Sequence, residues 1–104
     1  MSILSLFGIG NSKIKQALLK GAVIIDVRTA HEFDQGKVPG SINIPVDRIS
    51  SSIEQIRKMH KPVIICCATG ARSDKAVCIL KASGIKEVYN GGSWETVMKM
   101  VNKI

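Results

Sequence analysis

Two continuous apolar runs, Ala22-Val23-Ile24-Ile25 and Pro62-Val63-Ile64-Ile65-Cys66, stand out along the chain. Runs of this length, bounded by Gly, Pro or a charged turn, predict strands covered on both faces, as in a parallel sheet. The second starts with proline, whose missing N–H does least harm at a strand's first position, and is expected to lie centrally. Shorter strands are predicted at Ile42-Asn43-Ile44, ended by Pro45, and at Glu87-Val88-Tyr89, followed by a turn at Asn90-Gly91-Gly92. Between the strands the period changes. Asn11 or Ser12 can cap a helix carrying Ile14, Leu18 and Leu19 that Gly21 ends. Val46, Ile49, Ile53, Ile56 and Met59 recur at steps of three and four and predict a helix over 46–59. Ala76, Val77, Ile79 and Leu80 mark another over 73–83, and Trp94, Val97, Met98, Val101 and Ile104 a last one. Strands alternating with helices predict an α/β fold with a mainly parallel sheet, whose ligands gather at the carboxyl ends of the strands.

The 104 residues suit one domain over 1–104, with 1–10 as a loosely packed N-terminal segment. No repeat or Pro/Gly/Ser-rich linker divides them. The 45% hydrophobic content argues for a packed chain over a disordered one. The apolar stretch Ile3–Ile9 is too short to span a membrane and lacks the flanks of a secretory signal, so a cytoplasmic protein with no membrane partner is expected. Lys+Arg 15 against Asp+Glu 8 gives a net charge of +7, which fits an anionic partner. Residues 1–52 carry 6 basic and 4 acidic side chains, and residues 53–104 carry 9 and 4, so the excess lies in the second half. Arg57, Lys58 and Lys61 form a basic cluster without interleaved aromatics, which argues against nucleic acid. Cysteines at 66, 67 and 78 make no disulfide framework and no CxxC metal spacing, so a reactive thiol is expected, with no metal and no cofactor.

The loop after the predicted central strand reads Cys67-Ala68-Thr69-Gly70-Ala71-Arg72-Ser73 and runs into a helix. Its small residues let backbone N–H groups turn inward, the helix adds its positive end, and Arg72 adds a charge. Such surroundings lower a cysteine's pKa from its usual ~8.5 and make Cys67 the candidate nucleophile. Residues 68–72 are the candidate substrate cradle. Asp26, Arg28, Glu32 and Ser73 are candidate loop supports, with Glu32 as the expected ion partner of Arg28. Cys66, which strand alternation turns away from Cys67, and Cys78, on the next helix, are expected to pack.

Three motifs in order carry a family resemblance: Asp26-Val27-Arg28; Glu32-Phe33 followed by Gly36-Lys37-Val38-Pro39-Gly40-Ser41-Ile42-Asn43-Ile44-Pro45; and Cys67-x-x-Gly70-x-Arg72-Ser73. Over about residues 20–94 the chain resembles the rhodanese-like sulfurtransferase domain, and its ending is similar to small single-domain bacterial rhodaneses of the phage-shock type. The resemblance implies a four- or five-stranded parallel sheet with helices on both faces. It also implies that Cys67 takes a sulfane sulfur from thiosulfate or a persulfide donor, holds it as a persulfide, and passes it to cyanide or a thiol such as glutathione or a thioredoxin-like protein. Backbone amides of 68–72 and the Thr69 hydroxyl would stabilise the sulfur, and Arg72 would orient the donor. Lys37 stands where the family commonly has His, and Ala68 where it often has a polar or basic residue.

A cysteine-dependent phosphatase or arsenate reductase is the rival, because Cys66-x5-Arg72 matches the phosphatase loop spacing. Ile65 precedes that cysteine where His is usual, and the loop counted from Cys67 is one residue shorter, which favours sulfur over phosphate. A non-catalytic interaction module is the other alternative, against which Cys67 speaks.

Overall fold

The computed structural model describes residues 12–104, so the expectations for residues 1–10 and for Asn11 as a cap lie outside it. Strand β3 (Val63–Cys67) shows how the layers form, since all five of its residues are buried. Val63, Ile65 and Cys67 join one apolar cluster, and Ile64 and Cys66 join another on the opposite face. That is the period of two that a doubly covered strand requires. β3 pairs in parallel with β1 (Val23–Asp26) on one side and β4 (Val88–Ser93) on the other, and β2 (Ile42–Asn43) pairs with β1. The four strands therefore run in the order β2-β1-β3-β4.

Helices cover both faces. The first cluster packs α3 (Ile53–Arg57) and α4 (Ala71–Ala82) through Ile56, Ala76, Val77 and Leu80. The second packs α1 (12–19) through Ile14 and Ala17, and α5 (Trp94–Asn102) through Val97 and Met98. Leu19 and Ile104, expected on buried helix faces, are 64% and 52% exposed, because Ala17 takes the place beside Ile14 and α5 ends before Ile104. Among the described residues no helix is long and apolar enough to cross a membrane.

Three elements depart from the sequence reading. The predicted helix over 46–59 opens as two 3-10 turns, Val46–Arg48 and Ser50–Ser52, and only Ile53–Arg57 is α-helical. The Ser51 and Ser52 hydroxyls both donate to the Arg48 carbonyl, a local bond that competes with the helical ladder. A short helix not expected from the apolar pattern, α2 (Ala30–Gln35), follows β1. Its start is a capping box: the Thr29 hydroxyl accepts from Glu32 N–H at 3.2 Å, and Glu32 Oε1 accepts from Thr29 N–H at 3.0 Å.

The third departure is at Asn90-Gly91-Gly92, which continues β4 through a bulge instead of turning. Ile65 pairs with Asn90 and Cys66 with Gly92, which leaves Gly91 as the extra residue. A Cβ at Gly91 would meet Val97 Cγ2 at 2.6 Å and Ile64 Cγ2 at 2.9 Å. Gly91→Ala is therefore expected to destabilise the domain by about 1–3 kcal/mol through overpacking, measurable as a lower denaturation midpoint. A midpoint equal to wild type would show that β4 can shift freely at this point.

Strand order locates the site. From β1 the chain moves outward to β2, and from β3 it moves the other way to β4, so the loops after β1 and β3 leave toward opposite faces. The crevice at such a switch point, outside the strand ends, is where open α/β sheets bind ligands. Here it lies between Asp26-Val27-Arg28 and the loop after Cys67, since Asp26 registers with Cys66.

Candidate active site

Cys67 ends β3 with its side chain on the α4 face, fully buried beneath the loop that follows. Gly70 adopts φ +101°, a left-handed conformation that favours glycine, and so turns the chain into α4. The turn aims backbone donors at the sulfur: Gly70 N–H reaches Cys67 Sγ at 2.9 Å and Ser73 N–H at 3.4 Å. The Ser73 hydroxyl lies 3.4 Å from the same sulfur. Burial pushes the Cys67 thiol up, but the Ser73 hydroxyl and the N–H groups of Ser73, Gly70 and Thr69 outweigh it and hold the thiol below its ordinary value. The helix begins at Ala71, two residues before the sequence pattern suggests, which puts Arg72 and Ser73 in its first turn.

Cys66 sits on the opposite face of the strand among Ile64 and Val97. Burial, followed by the nearby Asp26 carboxylate, pushes its thiol up to about 12, so it is protonated at neutral pH. The pairing of Cys66 with Arg72 that a phosphatase loop needs therefore lacks a thiolate. Cys78 differs from the expectation of a packing residue, because its position on α4 faces solvent.

The loop supports are paired differently from the expected Arg28–Glu32 bridge. Arg28 pairs with Asp26, donating from Nη2 to Oδ2 at 2.7 Å and from Nε to Oδ1 at 2.9 Å. The Arg28 guanidinium also donates to the carbonyls of Gly36 at 2.6 Å and Glu32 at 3.2 Å, and lies 4.9 Å from the Trp94 ring centre. Glu32 uses its carboxylate for Arg72, with Nη1 to Oε1 at 2.7 Å and Nη2 to Oε2 at 2.9 Å. The reason is directional: α2 turns the Glu32 carbonyl toward Arg28 while the carboxylate points to the cysteine loop. Lys37 rests over the Phe33 ring at 4.8 Å.

The bond to Arg72 holds the Glu32 carboxyl down to about 2, with help from Thr29 N–H. The folded value lies below the unfolded one of ~4.3, so the stabilisation is complete above ~4.3 and is lost as pH falls toward about 2. Accordingly, Glu32→Gln is expected to be less stable than wild type at neutral pH, with the gap closing between pH 4 and pH 2. Denaturant titrations over a pH series check this, and a gap constant with pH would refute it.

Two asparagines complete the site and were not singled out by the sequence. Asn43 Nδ2 donates to the carbonyls of Asp26 at 3.0 Å and Arg28 at 2.9 Å, which ties β2 to the end of β1. Asn90 joins Ser73, Gly70 and Gly92 in one network beside the sulfur. Asn43 could have been noticed as an amide in a short apolar strand, a type depleted there. Asn90 had no such signal, because Asn-Gly-Gly reads as a turn. Among the described residues no group of three His, Cys, Asp or Glu side chains is placed to hold a metal.

Comparison with known proteins agrees with this fold. The family model described as "Rhodanese-like domain" matches residues 11–97. Thiosulfate sulfurtransferase 18 of Arabidopsis thaliana is 34% identical over 94 residues, covering 78% of this chain and 69% of that protein. The Bacillus subtilis protein YqhL is 38% identical over 69 residues, which are 66% of this chain but only 54% of YqhL. A solved structure described as a rhodanese with anions from E. coli is 30% identical, covers 72% of this chain and 89% of its own, and superposes with a TM-score of 0.66. With the family model covering most of its length, a parallel α/β sheet and a cysteine loop at the end of the central strand, the chain belongs to the rhodanese-like domain family.

Proposed function

We propose that this chain is a sulfurtransferase that moves a sulfane sulfur from a small anionic donor such as thiosulfate, or from a persulfide, to a thiol or cyanide through a persulfide on Cys67. The observation that carries the reading is the convergence of Gly70 N–H, Ser73 N–H and the Ser73 hydroxyl on the Cys67 sulfur. In the first step the thiolate attacks the outer sulfur of thiosulfate. A new S–S bond forms on Cys67, the old one breaks, and its electron pair leaves with sulfite. In the second step an acceptor thiolate or cyanide attacks the outer sulfur, and Cys67 departs as thiolate. No general base is needed, and transfer through a covalent species gives ping-pong kinetics.

Arg72 keeps its charge near the sulfur while tied to Glu32, and the rest of its guanidinium fork is available to an oxyanion. Cys67 lies covered under residues 68–70, of which Thr69 is exposed, so a donor approaches the sulfur over this loop. Glutathione or a thioredoxin-like protein fits as the acceptor, and a cytoplasmic setting would keep Cys67 reduced.

The test is intact-mass measurement after incubation with thiosulfate. A single added sulfur that a thiol reductant removes, with sulfite released in equal amount, is expected. If the mass is unchanged while aryl phosphate is hydrolysed, the phosphatase reading replaces this one.

A further inference from the structure

Asn90 lies on the α4 face of β4, the face on which Val88 and Cys67 also lie. Its amide is fixed at both ends. Oδ1 accepts from Gly92 N–H at 2.8 Å, and Nδ2 donates to the Gly70 carbonyl at 3.1 Å. This orientation turns Oδ1 to the Ser73 hydroxyl at 2.7 Å, and since Oδ1 carries no proton the contact uses the serine's own. Ser73 Oγ is also 3.4 Å from Cys67 Sγ and 3.0 Å from the Gly70 carbonyl. That carbonyl already accepts from Asn90 Nδ2 and from Asp74 N–H at 3.0 Å. A hydroxyl has one proton to give, so the contest for it is between Asn90 Oδ1 and the Cys67 sulfur.

We propose that Asn90 is a positioning residue that holds the Ser73 proton while Cys67 is a thiol and yields it when Cys67 ionises, so that Asn90 sets how readily the nucleophile forms. The inference rests on Cys67 being the nucleophile of the transfer reaction. In the thiol state the Cys67 S–H donates to Ser73 Oγ, and Ser73 donates to Asn90 Oδ1. On ionisation the S–H bond breaks and its proton passes to water. The Ser73 hydroxyl then rotates to donate to the thiolate, and Asn90 Oδ1 retains the Gly92 N–H. Once Cys67 carries a second sulfur, its own sulfur is no longer anionic and the Ser73 proton returns to Asn90. When the acceptor attacks, the same proton stabilises the departing thiolate. The other ionisable groups around the sulfur are Arg72 of α4 with its partner Glu32 of α2, Cys66 on the strand, and the Asp26–Arg28 pair after β1. None of them hydrogen-bonds to Asn90; Lys13, Asp74 and Lys81 line the groove beside it.

Thiolate absorbance followed against pH tests the proposal in a Cys78→Ser background, which removes the exposed thiol; Cys66, pushed up to about 12, stays silent in the neutral range. Asn90→Val keeps strand propensity and removes the Oδ1 acceptor. The Gly70 carbonyl loses its Nδ2 donor but keeps the Asp74 N–H, and as a neutral acceptor it competes more weakly for the Ser73 proton than an anionic thiolate does. The substitution is expected to lower the Cys67 midpoint by roughly one pH unit, about a tenfold gain in thiolate below it. Ser73→Ala is expected to raise the midpoint, and Asn90→Val added to Ser73→Ala to change it no further. An unchanged or raised midpoint in Asn90→Val, or the same drop without Ser73, would overturn the proposal. Should Asn90→Val fail to fold, Asn90→Asp keeps the size and strengthens the acceptor. It should raise the midpoint more with Ser73 present than after Ser73→Ala, and equal rises would count against the proposal. Sulfur loading on the same proteins separates the two readings. Loading without the midpoint pattern removes the role of Asn90 alone, and the midpoint pattern without loading supports that role and removes the transfer reading alone.

Discussion

Cys67→Ser is expected to abolish sulfur loading, with thiosulfate-dependent transfer falling by about three orders of magnitude or more to the uncatalysed level. A serine hydroxyl does not ionise near neutral pH, and it forms no persulfide. The fold should survive, because Gly70 N–H, Ser73 N–H and Ser73 Oγ can all bond to oxygen as they do to sulfur. Two controls locate the effect. Cys78→Ser lies on the solvent side of α4 and should load sulfur like wild type. Cys66→Ser should also load, although a hydroxyl among Ile64 and Val97 costs stability. Intact mass together with sulfite release reads all three. Sulfur on Cys67→Ser, or its loss in Cys66→Ser with the fold intact, would place the nucleophile elsewhere.

What the sequence made legible follows from how local each signal is. The two inner strands were readable because a doubly buried strand must be apolar throughout, and Val23–Asp26 and Val63–Cys67 are nearly so. The nucleophile loop was readable for a related reason: small residues, an arginine and a helix start form a consecutive pattern after a strand. Side-chain pairing was not readable. Arg28 had Asp26 and Glu32 both close in sequence, and only the path of α2 decides that Asp26 takes the guanidinium while Glu32 crosses to Arg72, 40 residues away. The capping signature Thr29-x-x-Glu32 was present but carried no apolar period to draw attention to it. Asn90 was hidden more deeply, because Asn-Gly-Gly satisfies a turn as well as a bulged strand. What selects the bulge is the space left by Val97 and Ile64 against Gly91. The α-helix expected at 46–52 gave way to 3-10 turns through backbone competition from serine, which a pattern of apolar positions does not register.

The largest effect on stability is expected from Arg28→Ala. Asp26 is fully buried and Arg28 is 4% exposed, so their pair is shielded from water. The substitution removes three guanidinium contacts from the Asp26 carboxylate, leaving the Arg28 backbone N–H at 3.0 Å as its remaining donor from this residue. It also strips the Glu32 and Gly36 carbonyls of a donor and removes the cation from the Trp94 ring. A buried charge left without its partner costs about 3–5 kcal/mol, a large share of the ~5–15 kcal/mol that stabilises a typical domain. Arg28→Lys should recover only part of this, since an ammonium cannot serve both carboxylate oxygens and the two carbonyls from one plane. The double change Asp26→Val with Arg28→Met should be more stable than Arg28→Ala, because it removes the stranded charge and refills the space. Trp94, the single tryptophan of the chain, sits at the pair and reports unfolding by fluorescence in a denaturant titration. If Arg28→Ala unfolds within about 1 kcal/mol of wild type, the Asp26 carboxylate is reached by water and the pair is no more than a surface bridge.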